Sequence, residues 1–380
     1  MFTRRLDLNT CPPRKRRLIS YMAISIADRA SGAVMGALIG DALGVGPHWY
    51  YDLEEMRRDY GDWISDYTEP KADRYHAGLK AGQLSQPGII LTMPLRSVVE
   101  NRDYVESDFC RRLDEELFPR LDGTPMNGPG GYTSQSIREA WRGRVEERKS
   151  WKETGGHADT TEAAERALVL AARYAKVPSK VAKTVSSNCI LTQVDEAIVA
   201  MTTAYCCVLA LLVSGESLDV TLSDKLMDLV DDGSLPFHAV TSGRLSPPKQ
   251  GREPSRAGRF SSPDALLTPS YMAEAALDPG IKIEPAWKVS IVYGMPCAIY
   301  HQLPISYYLA ARFQDDFEKA VLYALNGGGQ NQARCILTGA LVGAQVGLPG
   351  IPQRFLEGLE NVAELTSLAR ILGEHADRQV

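Results

Sequence analysis

The chain has 380 residues, 44% hydrophobic and 23% charged, with a formal net charge of −5; this is the balance of a globular protein and excludes a disordered or fibrous one. A net acidic chain without a basic stripe gives no expectation of nucleic-acid binding. No run approaches the roughly eighteen uninterrupted apolar residues of a membrane span, and seven cysteines without zinc or disulfide spacing fit a reducing, cytoplasmic location.

Residues 1–25 carry Arg4-Arg5 and Arg14-Lys-Arg-Arg17 around Cys11-Pro-Pro, with little periodicity. They read as a disordered basic leader, with a nuclear or organellar signal as the other reading. From Ile24 to Leu43 small and apolar residues recur at helical spacing, and Gly44-Val-Gly46-Pro47 stops the helix. His48-Trp49-Tyr50-Tyr51 follows at its exit. A polar, glycine- and proline-punctuated stretch then runs to about Pro87, long enough to be functional or disordered. Helices are expected over Leu91–Val99, Tyr104–Leu117 and Ser134–Arg148, with a loop at Pro125–Gly131. Thr154–Glu162 reads as a polar loop capped by Asp159 or Thr160 and entering a helix over Ala163–Tyr174. Further helices are expected from Pro178, over Asp195–Val213 (the most apolar, read as a core helix) and over Ser217–Leu229. Residues 241–270, rich in Ser, Pro, Gly and Arg, read as a flexible surface insertion. Met295–Arg312 and Phe313–Leu325 lead to a glycine turn.

That turn, Asn326-Gly-Gly-Gly-Gln330-Asn331-Gln332, empties into a helix whose Gly339, Gly343 and Gly347 form a stripe without side chains, open to close approach of another backbone. Gly36-ALIG-Asp41 echoes it, and the two small-residue helices are expected at the centre of one core. Strand alternation is almost absent. The fold class is all-α, with residues 26–375 as a single helical domain.

Several side chains stand out chemically. His48, among aromatic neighbours, is a candidate general acid or base; holding the helix end is the alternative. His157 and Asp159 are candidates for an oriented acid–base pair, with a helix cap the favoured reading of Asp159. Gln330, Asn331 and Gln332 read as neutral ligand-binding amides at a helix N-terminus, though Asn331 could serve the turn alone. Asp41, on an apolar helix, requires backbone amides or hydroxyls as partners. Cys206-Cys207 reads as core packing.

Three loops carry a family resemblance. GALIGDALGVGPHWYYD resembles the opening motif of the ADP-ribosylglycohydrolase superfamily, NGGGQNQARCILTGALVGAQVGLPGIPQRFLEGLE is similar to its closing motif, and GQLSQPGIIL falls where that family has Gly-x-x-Thr-Asp-Asp-Thr. The resemblance spans roughly residues 27–365 and implies a compact, orthogonally packed helical bundle. In active members the Thr-Asp-Asp and Asp-x-Asp segments bind two magnesium ions. Here those positions read Ser85-Gln86-Pro87-Gly88 and Gln330-Asn331-Gln332-Ala333, His48 replaces an acidic residue, and Gln193 stands where hydrolases often carry Thr-His. Magnesium needs hard, mostly anionic oxygens, so no metal and no other cofactor is expected. The replacements together resemble the J1-crystallin and selenoprotein J branch.

Three functions remain open. One is a metal-independent small-molecule enzyme for cleavage, addition or cyclisation, with His48, His157 and Asp159 catalytic and Trp49, Tyr50, Ser85, Gln86, Thr160, Asn326, Gln330, Asn331 and Gln332 holding the substrate. The others are an inactive ligand-binding pseudo-glycohydrolase and a crystallin-like structural protein. The first is preferred, with a small molecule as the partner. The four stretches His48–Tyr50, Ser85-Gln86, His157–Thr160 and Asn326–Gln332 are expected to converge on one cleft.

Overall fold

Two glycine-striped helices lie backbone against backbone at the centre of the computed structural model, which describes residues 24–238, 258–260 and 264–378. The first, Ile26–Gly44, begins where the Ser25 hydroxyl accepts from Asp28 N at 3.0 Å, satisfying an amide that the helix itself cannot. The second is the closing helix, Asn331–Val346. A Cβ built on Gly36 would stand 2.1 Å from the Gly339 carbonyl oxygen, and one on Gly339 2.2 Å from that of Gly36. Gly32 and Gly343 repeat the relation one turn away. Only glycine permits this approach, so the stripes seen in the sequence face each other.

Other helices pack around that pair. Glu196–Val213 is apolar enough to cross a membrane by length and composition, but 78% of it is buried inside the protein. It is a core helix, tied to the closing helix by the Tyr205 hydroxyl, which donates to Leu337 O at 2.9 Å. The main apolar cluster takes residues from Ala30 to Ala376. A second, smaller one gathers Phe109, Leu117, Phe118, Ile137 and Trp141 beneath the helix Gln86–Asn101. Among the described residues there are sixteen α-helices and no strand, only isolated bridges. The all-α class read from periodicity is the observed one.

Three differences from the sequence expectation have local causes. Leu53–Tyr60 is a helix inside the stretch read as irregular; Asp52 caps it, and only Met56 of its residues is buried, so it has no apolar period to detect. Asp264–Leu277 is a helix whose start falls within the expected insertion. Its buried face uses Pro269, Ser270, Ala273 and Ala276 beside Leu266, a pattern too polar and small to register. Residues 241–257 of that insertion, and 1–23 of the expected leader, lie outside the described residues. Finally, the helix after the His157 loop starts at Glu162, and neither Asp159 nor Thr160 caps it. Asp159 instead accepts from the Tyr300 hydroxyl at 2.9 Å.

Candidate functional site

The helix Ile26–Gly44 ends in a turn that places His48-Trp49-Tyr50 beside the glycine turn. Trp49 N donates to Gly329 O at 3.1 Å and Gly329 N to Tyr50 O at 2.7 Å. Gly328 and Gly329 take φ of +64° and +59°, so the chain can reverse and offer Gln330 at the start of the closing helix. His48 Nε2 lies 2.9 Å from Gln330 Oε1, and the Trp49 indole N–H donates to the same oxygen. On its other side, His48 Nδ1 is 2.7 Å from His76 Nε2, and His76 Nδ1 is 2.8 Å from the Gly130 carbonyl. The two imidazoles stack at 4.8 Å, 1% and 2% exposed.

Burial disfavours a charge on either ring. It pulls His48 well below the ordinary histidine value, with His76 adding to the effect, and lowers His76 to about 4. Over the pair lie Trp49, Tyr75 and Tyr132, whose ring centroids are 4.5–5.2 Å apart. These three rings and Gln330 remain half-buried, and Tyr51 is exposed nearby. His48 thus points at the Gln330 turn, but aromatic side chains close over it.

The remaining sequence candidates divide. Ser85 gives its N–H (2.8 Å) and hydroxyl (2.5 Å) to Asp41, the kind of partnership expected for that carboxylate. Gln86 Nε2 donates to the Thr133 hydroxyl at 3.0 Å, while its Oε1 is buried without a partner. Gln332 is buried beside His76 and donates weakly to Asp41 O. Asn326 and Asn331 hold backbone: Asn326 bridges Ile64 N and O, and Asn331 Nδ2 donates to Pro47 O at 2.9 Å. Tyr50 turns its hydroxyl to Asp59 at 2.5 Å under Arg74, away from the cleft.

His157 and Asp159 do not pair. His157 Nδ1 meets Asp195 at 2.7 Å on an exposed surface, beside a hollow of about 250 Å³ lined by Glu139, Arg142 and Glu153. The cause is the loop's path: Gln193 accepts from Ala163 N and donates to the carbonyls of Ala158 and Thr160. That tie turns His157 and Asp159 outward, while Ala158 and Thr160, the latter bonded to Glu162, face inward.

Sequence reading missed His76, Tyr75 and Tyr132, which sit in loops without periodicity; the Tyr75-His76 pair within the long irregular stretch was the available signal. It singled out Asp41 but missed the carboxyls of Glu162 and Glu165 near it. Burial pushes Asp41 up to about 7 despite its bonds to Ser85. Glu162, half-buried and bonded by Ser136 and Thr160, is raised by the same cause. Glu165 is raised by burial and then by Glu162; its Oε2 has no partner.

The side chains of Ser85, Gln86, Gln330 and Gln332 offer no carboxylate. Gln330 Oε1 already accepts two N–H groups, and Pro87 has no donor atom. Among the described residues no three His, Cys, Asp or Glu side chains are arranged to hold a metal.

A family model described as ADP-ribosylglycohydrolase matches residues 22–379. Among solved structures the chain is similar to an "ADP-ribosylglycohydrolase-related protein complex", with 18% identity, a TM-score of 0.58, and coverage of 93% of this chain and 99% of that one. At such identity the likeness concerns the fold. No match is found among curated proteins.

Proposed function

This chain belongs to the ADP-ribosylglycohydrolase family, and from that premise we propose that it binds a small molecule in the aromatic cleft beside Gln330, without magnesium and without glycohydrolase activity. One observation carries the reading: both nitrogens of His48 are taken, by His76 at 2.7 Å and Gln330 at 2.9 Å. A general acid or base needs a nitrogen within hydrogen-bond reach of the substrate. On that ground we prefer the ligand-binding alternative to the enzyme favoured by the sequence. The half-buried Trp49, Tyr75 and Tyr132 offer ring faces, and Gln330 Nε2 has a proton to give to a ligand.

Magnesium does not fit. Its near-octahedral shell requires anionic oxygen, and glutamines whose carbonyls are occupied or single cannot offset two adjacent dications. A second reading, a metal-free enzyme, is favoured by Glu162, a half-buried carboxyl whose raised affinity for its proton suits a general acid. The structural, crystallin-like reading requires no unspent donors at all.

The test is a thermal-shift screen of adenosine and ADP-ribose in chelator, run beside release of ADP-ribose from arginine- and serine-linked substrates with and without magnesium. Stabilisation in chelator with no release is expected. Magnesium-dependent release would overturn the reading in favour of a working glycohydrolase.

A further inference from the structure

The chain of contacts from Gly130 to Trp49 lacks one proton. Its two ends are fixed as acceptors. The Gly130 carbonyl can only accept, and at 2.8 Å from His76 Nδ1 it outweighs the Tyr132 N–H, which approaches the same nitrogen at 3.4 Å. At the other end the Trp49 indole can only donate, which orients the Gln330 amide with its oxygen toward both Trp49 and His48. Between these ends lie three contacts: Gly130 O to His76, His76 to His48, and His48 to Gln330 Oε1, at 2.8, 2.7 and 2.9 Å. Each needs one hydrogen. Two neutral imidazoles carry one hydrogen apiece, so the full chain requires a third, and with it one positive charge shared by the pair.

Nothing in the surroundings balances that charge. The pair is faced by the Tyr132 N–H, 3.4 Å from His76 Nδ1, the Gln332 amide, the Gly130 carbonyl and the rings of Trp49, Tyr75 and Tyr132. Beyond the rings, Arg138 lies 5.8 Å from the Tyr132 ring, and Glu162 is bonded by Ser136 and Thr160 and not by either imidazole. Among the described residues no carboxylate bonds either histidine. Burial keeps the pair neutral in the free protein, with one contact proton-poor. The backbone is strained at the same place: Trp49 and His76 both hold φ of +65°. Such strained backbone gathers at ligand sites.

The missing counter-charge and the unspent donor lie on one side. Gln330 Oε1 takes two N–H groups, while its Nε2 gives its hydrogens to none of the described residues at a half-buried position. An amide whose oxygen accepts strongly becomes a stronger donor through its nitrogen. We propose that the cleft beside Gln330 is an oxyanion subsite, in which a carboxylate or phosphoryl oxygen accepts from Gln330 Nε2 and binds together with one solvent proton shared by His48 and His76. The inference rests on the small-molecule reading above and adds the charge of the ligand. No bond in the ligand breaks; one proton is taken from solvent and completes the third contact.

The experiment is imidazole ¹⁵N NMR and proton-uptake calorimetry on the full chain, titrated at pH 7 with inorganic phosphate and with acetate. One anion should bring up to one proton per chain and move both histidines from a neutral to a shared-imidazolium pattern. Affinity should fall about tenfold per pH unit above the range where the free pair titrates and level off once the bound pair titrates. Response to phosphate alone assigns a phosphoryl ligand, and to acetate alone a carboxylate. Gln330→Glu, which sets a carboxylate on His48 Nε2, should protonate the pair with no anion added. Absence of proton uptake with both anions, or a neutral pair in Gln330→Glu, overturns the proposal. Binding of neutral adenosine without any anion-linked proton would retain the binding reading and remove only this one.

Discussion

His48 and Gln330 are 282 positions apart in the chain and 2.9 Å apart in space. The pairing is made by backbone: the bridge between Tyr50 and Gly329 holds the exit of one glycine-striped helix against the entry of the other. Packing of the two helices and assembly of the site are therefore one event.

That coupling makes the stripe testable. Gly36→Ala or Gly339→Ala drives a methyl to within about 2 Å of a facing carbonyl oxygen, and neither backbone can retreat without opening the core. Each should cost about 3 kcal/mol, read by urea denaturation. Gly280→Ala, whose Cβ would meet only Asp278 Oδ1 at 3.2 Å, should cost less than about 1 kcal/mol. Equal losses would refute the backbone-contact argument.

Stability should change with pH in a particular shape. Asp41, up at about 7, and Glu165, raised alike, are held protonated by the fold. Their contribution is complete below the ordinary carboxylate range near 4 and declines as pH rises through about 7. The histidine pair runs the other way. Its pKa values are depressed, so its contribution is complete above about 6.5 and lost as pH falls toward 4. The two slopes oppose between about 4.5 and 6.5 and leave a plateau; above it only the carboxyl term acts. Stability should fall from about pH 6.5 to 8, and Asp41→Asn should flatten that fall. A wild-type curve still rising across this interval contradicts the assignment.

Trp49→Phe keeps a ring over the cleft but removes the indole donor that orients the Gln330 amide. One net hydrogen bond is worth about 1 kcal/mol, so ligand affinity should drop roughly fivefold with the melting temperature nearly unchanged. An unchanged affinity in calorimetry would place the ligand elsewhere.

His157→Ala supplies the contrast. Its partner is Asp195 on the exposed surface, outside the His48–Gln330 chain. Ligand affinity and its pH dependence should match those of the wild type, and any loss would return His157 to the site.

The sequence by itself determined the helical class, the two glycine stripes and the meeting of the opening and closing motifs, because each is written in local periodicity or in residue types that tolerate only one backbone. The turn at Gln330 was legible for the same reason. His76 was not: it belongs to an irregular loop, and its value comes from a stack with His48 that no spacing encodes. Nor could the sequence separate His157 from the site, since its path is set by Gln193, 36 positions on, gripping the carbonyls of Ala158 and Thr160. Above all, only the tertiary structure decided the protonation of the centre. Imidazoles and carboxyls take their charge from burial and from the partners that reach them, and those arrive from across the fold.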